Sequence, residues 1–402
     1  MPEKPRVVIV GAGIGGLCAA IALRRVGIDA VVLERSSELR EVGAGIQLWV
    51  TGMRALQKIG LAQPVLGLAS PTEVYEFRSW RGRVLIRVPV GELARRYGAP
   101  PAVNVRRGDL LKVLAEAVGP RVVRLGARCE RVEQDEAGVT AHLKDGGQER
   151  GALLVAADGI DSTIRALLFP EAKPRFAGYQ YLRALVQYEH PALPPGHFSF
   201  VFGRGDRIGL HNMGGGWMYL FGVLVTPPGT GDAPGGRKAE LLERFKDFVA
   251  PVPEAIAAAA EPAIGRTDIR DLEPMGRWSD GRITLLGDAA HATTPNMGRG
   301  ASEAVEDACA LAEALGSAEA LSDRGRIATA VNSYEEQRRR ETSAIQRRAW
   351  KIGRLTSWSN PLACALRDRV MEHISSRALL KDIEADFARA GAAAEADGRP
   401  RT

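Results

Sequence analysis

Residues 11–16, Gly-Ala-Gly-Ile-Gly-Gly, fit the pattern G-x-G-x-x-G, a spacing suited to holding a diphosphate. Gly11 permits a tight turn, Gly13 lets the backbone approach a pyrophosphate, and Gly16 lets the following helix pack closely on its strand. Free N–H groups and the dipole at the start of that helix favour an anion. Glu34 ends the next predicted strand, where its carboxylate can accept the 2′ and 3′ hydroxyls of an adenosine ribose. Taken alone, these residues leave NAD and FAD equally open.

Other residue types narrow the chemistry. Cys18, Cys129, Cys309 and Cys364 stand far apart, with no C-x-x-C pair and no histidine at zinc spacing. They fit neither a disulfide framework nor a metal site, and they suit a reducing cytoplasm. No Ser/His/Asp or Cys/His nucleophile occurs in a recognisable motif. Arg207, His211 and Tyr219 fall on short strand-like runs, and alternation puts Arg207 and His211 on one face. The reference pKa of an imidazole, about 6.5, would let His211 deprotonate or hydrogen-bond a phenol, although a lone strand histidine also reads as structural. Arg183 reads equally as a substrate ligand or an interdomain ion-pair residue. Residues 334–354 hold seven basic and three acidic residues. The glutamates alternate with the arginines and no aromatic platform is present, so an exposed, salt-bridged helix is expected there and no nucleic-acid partner.

The elements that must position these groups follow from composition and periodicity. The 402 residues are 45% hydrophobic and 25% charged with a net charge of +6, the balance of a globular enzyme. Val7 to Leu23 is uncharged, but its glycines and the arginines that follow argue against a signal peptide or membrane span. Residues 6–10 predict a buried strand, 15–26 a helix closed by Gly27, and 29–34 a second strand: a parallel βαβ unit. Runs at 83–90, 181–188, 197–202, 207–213 and 217–225 predict a mostly antiparallel sheet. A Gly/Pro-rich surface loop spans 226–237, and the following KAELLERFKDFVA predicts a helix packed through Leu241, Leu242, Phe245, Phe248 and Val249. A strand at 282–287 and a helix from about Ser302 to Leu315 precede a helical, charged last quarter.

Three segments resemble the signatures of the single-component flavin-dependent aromatic hydroxylases, the group of hydroxybenzoate, salicylate and urate hydroxylases and zeaxanthin epoxidase relatives. They are VVLERSSELREVGAGIQL, VAADGIDSTIRALL and ITLLGDAAHATTPNMGRGASEAVEDA. The resemblance runs colinearly over nearly the whole chain and implies FAD. Asp288 would accept a hydrogen bond from a ribityl hydroxyl, and Gly298, Gly300 and Ala301 would open a helix whose positive end stabilises reduced flavin. The resemblance also places Ile14, Gly15, Arg35, Gln47, Arg107, Cys129, Asp158, Pro295 and Arg299 around the cofactor. Cys129 would act through main-chain atoms, and Arg106 is expected to be a solvent charge. Asp158 and Arg165 would serve structure and nicotinamide access together, with Asp161 or Ser162 as ordinary helix caps. His291 would support the site and not catalyse. Arg207 and Tyr219 match positions that urate-type relatives use at the substrate, but Asn296 stands where those relatives carry an acid and cannot act as a base.

These readings predict an α/β chain: a Rossmann-like FAD-binding lobe, an inserted mostly antiparallel β-sheet substrate lobe and a helical C-terminus. FAD-binding parts are expected at 1–75, 107–175 and 276–320, substrate-lobe parts at 76–106 and 176–275, and the helical region at 321–402. The expected activity is hydroxylation of a small or medium aromatic or heteroaromatic substrate with NADH or NADPH and dioxygen, through a flavin hydroperoxide. Arg207, Tyr219 and His211 are the expected catalytic residues, and Asn296 and Arg183 the substrate ligands. No metal is expected, and the chain is expected to act as a monomer or homodimer. A flavin dehydrogenase, reductase or halogenase on the same scaffold, or a non-catalytic flavin-binding regulator, are the alternatives.

Overall fold

A computed structural model describes residues 6–39 and 45–396. The unbroken apolar run Val7–Val10 forms the middle of a six-stranded sheet, flanked in register by Ala30–Leu33 and Leu153–Ala156. Ile283–Leu285 extends the sheet beyond Leu153–Ala156, and Val123–Arg124 closes it beyond Ala30–Leu33. All these pairs are parallel, with only Ser279–Asp280 antiparallel at one edge. Strands covered on both faces need apolar residues throughout, and Val7–Val10 and Leu153–Ala156 are buried at every position. The helix Ile14–Arg25 leaves the first strand through the glycine turn and packs beside the helix Gly300–Leu315, where Gly15 faces Leu286 and Ala304. The segment Val7–Leu23 is thus a strand, a turn and a helix. No described helix is long and apolar enough to cross a membrane.

The second sheet has seven strands in the order Gly265–Asp271, Arg175–Gln187, Trp217–Leu224, Arg207–Asn212, His197–Phe202, Val74–Ser79, Val84–Val88. Neighbours are antiparallel except that His197–Phe202 runs parallel to Val74–Ser79. One face carries Ile208, Leu210, Met218 and Leu220 and is covered by the helices Gly236–Phe245 and Val252–Ala258. The opposite face is aromatic, with Tyr75, Phe77, Tyr181, Phe198, Phe200 and Phe221 gathered in one cluster with Trp49 and Phe387.

Several boundaries differ from the sequence reading. The strand expected at 181–188 begins at Arg175, and the helix expected from Ser302 begins at Gly300. Phe248 and Val249 follow the helix Gly236–Phe245 and do not lie on it, although both still pack against its core. Val103–Arg106, within the span assigned to the substrate lobe, instead pairs with Gly45–Leu48 and Ser70–Pro71 in a small separate sheet. The charged run lies on one helix, Arg324–Thr356. Arg340 and Glu336 form the exposed pair that alternation predicts, but Arg338 is buried, so that helix is not solvent-facing all round.

Candidate active site

The helix Ile14–Arg25 has no side-chain cap and no acidic residue in its first turn, so no side chain of its own occupies its leading N–H groups. Gly11 takes φ +104°, a conformation that favours glycine, and a Cβ on Gly13 would meet nothing within 4 Å. Glu34 Oε2 accepts from the Ala12 amide at 2.8 Å and Oε1 from the Ser36 amide at 2.9 Å. These bonds fix the carboxylate at the strand end and leave each oxygen a lone pair. Glu34→Gln turns one acceptor into a donor facing an amide, and should weaken FAD binding roughly 10- to 100-fold with soluble yield unchanged, as read by titrating apoprotein with flavin.

Asp158 Oδ2 caps the helix Thr163–Leu168 through the Thr163 amide at 2.8 Å, while its Oδ1 is buried without a partner. Ser162 Oγ accepts from the Arg165 amide at 2.9 Å and is the N-cap, whereas Asp161 pairs with Arg270. Arg165 does not reach outward: its guanidinium donates to the carbonyls of Ile160, Ala172 and Ala289. Burial pushes the Cys129 thiol up to about 11, helped by the Asp158 charge, which brings these two predicted contacts together.

Asp288 begins the short helix Asp288–His291 directly after Gly287. Its side chain is accessible, yet protein surrounds it closely enough for desolvation to raise its carboxyl pKa against the pull of His291 and Arg107. That combination describes a carboxylate at the bottom of a crevice. Arg107 lies within electrostatic reach of both Asp288 and Arg183, and burial followed by Arg183 lowers its pKa. Arg106 is exposed and paired with Asp109. Arg35 is exposed near Asp161. Gly298, at φ +62°, brings the Pro295–Arg299 turn against Gln47, whose Oε1 lies 2.5 Å from where a Cβ would stand. Gln47 in turn bonds the Tyr75 hydroxyl. The helix Gly300–Leu315, with Ala301 in its first turn, also lacks a side-chain cap. Two uncapped helix starts, a free buried carboxylate oxygen and a crevice carboxylate form a donor and acceptor set that fits FAD.

On the aromatic sheet, Arg207 is fully buried. It donates to Ser357 Oγ at 3.1 Å and Asn296 Oδ1 at 3.2 Å, and lies 4.7 Å over the Tyr179 ring. Its Nε has no partner. The Asn296 amide nitrogen donates to the Tyr179 hydroxyl at 2.7 Å and to the carbonyl of Ala349 at 3.0 Å. Arg183 bonds Thr267 Oγ1 at 3.4 Å and the Tyr219 hydroxyl. It makes no ion pair among the described residues. Burial raises the Tyr219 pKa, and its ring lies where a side chain on Gly45 would fall. His211 shares the Arg207 face, opposite Tyr219 in register and tilted against Phe198. Its Nε2 is buried without a partner, and burial pushes its pKa down to about 3, so it is a neutral imidazole with little strength as a base.

His291 is taken up in a buried ionic group, with Nε2 2.6 Å from Asp307 Oδ2. Arg338 Nε donates to Asp307 Oδ1 at 2.7 Å and Nη2 to Glu303 Oε2 at 2.6 Å. His291 is thus one member of a buried ionic group. Other residues have no local sequence signal. Trp49 donates its amide to Ser302 Oγ at 2.8 Å and its indole N–H to Asp386 Oδ2 at 2.9 Å, and the same oxygen receives Arg299 Nη1 at 2.9 Å. Tyr179, Ser357 and Asp386 carry no motif of their own, and Ser302, inside the helix Gly300–Leu315, serves Trp49 and not its own helix start. All four cysteines are buried free thiols. No group of three or more metal-ligating side chains occurs among the described residues.

Comparison with known proteins agrees with this geometry. The family described as FAD binding domain matches residues 4–179 and 271–349, on either side of most of the inserted sheet. The chain is 37% identical over 370 residues to an aurachin C monooxygenase/isomerase of Stigmatella aurantiaca, covering 92% of this chain and 94% of that protein. It is 33% identical to an FAD-dependent urate hydroxylase of Klebsiella pneumoniae subsp. pneumoniae, covering 83% and 85%. The solved structure of Klebsiella pneumoniae HpxO complexed with FAD and uric acid superposes with a TM-score of 0.88 at 29% identity, covering 96% and 97%.

Proposed function

The chain belongs to the FAD-binding-domain family of flavin-dependent aromatic monooxygenases, and from that premise we propose that it hydroxylates a flat aromatic or heteroaromatic ring bearing an acidic group. One observation carries the acidic preference: Arg183 and Arg207 stand on the aromatic sheet face with neutral partners only. A guanidinium removed from water without a carboxylate is costly, and an anionic substrate offsets that cost.

Bound FAD, reduced by NADH or NADPH, supplies the activated oxygen. The glycine turn at 11–16 and Glu34 would hold its diphosphate and ribose, with Asp158, Asp288, Arg107 and the Pro295–Ala301 segment along the remainder. Half-buried Arg183, tied to Tyr219, would meet the substrate anion. Arg207, tied to Asn296 and Ser357, would set the positive field beneath the ring and position Asn296. His211 Nε2 would accept a hydrogen bond from a substrate hydroxyl or N–H without being charged at neutral pH. The aromatic wall would keep water from the reacting carbon.

The test is consumption of NADH and NADPH by the FAD-loaded protein with aryl carboxylates, ionisable phenols and acidic N-heterocycles, each beside its neutral ester or ether, under isotopically labelled dioxygen. Labelled product from the acidic members alone is the expected result. Equal labelling of the neutral partners would remove the acidic preference, and stimulation without incorporated oxygen would indicate a dehydrogenase. Arg183→Met should raise KM for an acidic substrate roughly 10- to 100-fold with flavin retained.

A further inference from the structure

The basic run singled out in the sequence is only partly used by the fold. Arg347, Lys351 and Arg354 follow one another at helical spacing on the helix Arg324–Thr356, and all three are exposed. None has an ion-pair partner among the described residues, in contrast to Arg338, Arg340 and Arg348 on the same helix. The stripe runs on to Trp358, which is 40% exposed. Asn360 then caps the next helix, Pro361–Val370, through the Leu362 amide at 2.9 Å, and Cys364 Sγ bonds the Trp358 carbonyl at 3.0 Å. That turn ties the start of the second helix back to Trp358, and Leu362 and Leu366 stand one turn apart on it, on either side of Cys364 in sequence. Leu362 is 82% exposed and Leu366 61% exposed, the two most exposed large apolar side chains described. From Arg347 to Arg369 the chain has six basic residues, at 347, 348, 351, 354, 367 and 369, against the single acid Asp368, which is already paired with Arg367.

We propose that this corner is a peripheral docking surface for an anionic lipid bilayer. A protruding pair of leucines and a tryptophan, bordered by cations without partners, matches the interfacial layer, where apolar side chains enter the acyl boundary and basic ones meet phosphate. Each basic residue near such a surface contributes by charge alone, so the loose arrangement of Arg347, Lys351 and Arg354 is sufficient. A protein partner would instead need an apolar groove with acids placed around it, and a second copy would have to bring two copies of this same cationic stripe together. The lipid surface is the occupant whose charge complements the patch. The inference stands apart from the choice of aromatic substrate.

The FAD-loaded protein is tested by co-sedimentation with vesicles of phosphatidylcholine alone and of phosphatidylcholine mixed with phosphatidylglycerol. Binding is expected only to the mixture, weakening as salt is raised. Lys351→Glu with Arg354→Glu, and separately Leu362→Ser with Leu366→Ser, should each reduce partitioning at least roughly tenfold while flavin absorbance and NADH oxidation in solution stay as in the parent. Trp358→Phe should remove a fluorescence blue shift seen on adding anionic vesicles. No preference for anionic vesicles, or parent-like partitioning by both double variants, would overturn the proposal. So would a dimer in sedimentation velocity that Leu362→Ser with Leu366→Ser converts to monomer, or vesicle-independent binding to an acidic protein at the same residues.

Discussion

Gly16→Ala is expected to give a chain that retains no FAD. Position 16 is where the helix Ile14–Arg25 crosses the turn that feeds it, and an added Cβ would fall inside the contact distance of the Gly11 carbonyl oxygen. That oxygen belongs to backbone and cannot swing aside. Gly11 itself is pressed against Ala157 and Asp158, so it has nowhere to retreat. The helix must lift off the sheet, which withdraws its leading N–H groups from the position they need for a diphosphate. Overpacking of this kind costs about 1–3 kcal/mol even where the surroundings can yield. The expected protein is colourless, with flavin absorbance below roughly a tenth of the parent value. Gly13→Ala is the companion measurement, because a Cβ there meets no protein atom. It should fold with parent stability and lose FAD affinity only. If Gly16→Ala purifies yellow with parent flavin content, close helix–turn packing is not what prepares the phosphate site.

Arg338→Met should have the largest effect on stability. The guanidinium faces Asp307, Glu303 and Glu306 at once, in a region where Asp307 is fully buried. Removing one member of a buried ionic group leaves its partners uncompensated and costs about 3–5 kcal/mol. Asp307 also accepts the Gly287 amide at 2.9 Å, so loss of Arg338 should loosen the turn that presents Asp288 and lower FAD affinity as well. The pH dependence follows from the shifts. Burial opposes the Asp307 charge, but His291 and Arg338 hold its pKa at about 2, so its contribution is present above the unfolded carboxylate value and lost as pH falls towards 2. Burial also opposes the His291 charge, but Asp307 outweighs it and raises the pKa, so that contribution is complete below about 6.5 and lost as pH rises through the raised value. The group therefore contributes most between about pH 4 and 6.5. Arg338 lowers the pKa of Asp307 and also that of His291, so chemical denaturation should show the parent's advantage over Arg338→Met shrinking as pH falls below about 4 and growing as pH rises through the raised His291 value. A difference that does not vary with pH would mean that Arg338 acts by packing and not by charge.

The sequence was most informative where chemistry and backbone are local to one segment. The turn at 11–16, Glu34 at its strand end and the inert cysteines could be read directly, because each depends on neighbours a few residues away. The strands Val7–Val10, Ala30–Leu33 and Ile283–Leu285 were legible for the same reason, since each carries its own apolar run, whereas Val123–Arg124 and Ser279–Asp280 carry none. Residues whose meaning depends on distant partners were not legible. Arg207 was singled out by resemblance, but its neutral surroundings come from Asn296, Tyr179 and Ser357, in three different parts of the chain. Asp386 has no signal in its own helix, yet it holds Arg299 and Trp49 together. The sequence around His211 implies an ordinary imidazole, because nothing in the residues beside it reveals that the folded sheet excludes water from it. The pattern around Arg338 implies a surface charge because alternating acids and bases look the same whether a helix face is wet or packed.

The parallel order of the central sheet also constrains when the protein can mature. Val7–Val10 is synthesised first, yet one neighbour, Leu153–Ala156, arrives much later, and Ile283–Leu285 completes that side only after residue 285 of 402. The helix Gly300–Leu315, which carries the second uncapped start, comes later still. A nascent chain on the ribosome would therefore expose the glycine turn long before the crevice that shelters it exists. A fragment ending before residue 300 lacks the second uncapped helix start, so cofactor capture is expected only late in synthesis. The inserted antiparallel sheet, whose strands are close in sequence apart from the Val74–Val88 hairpin, can assemble while the first lobe still waits for its last strand.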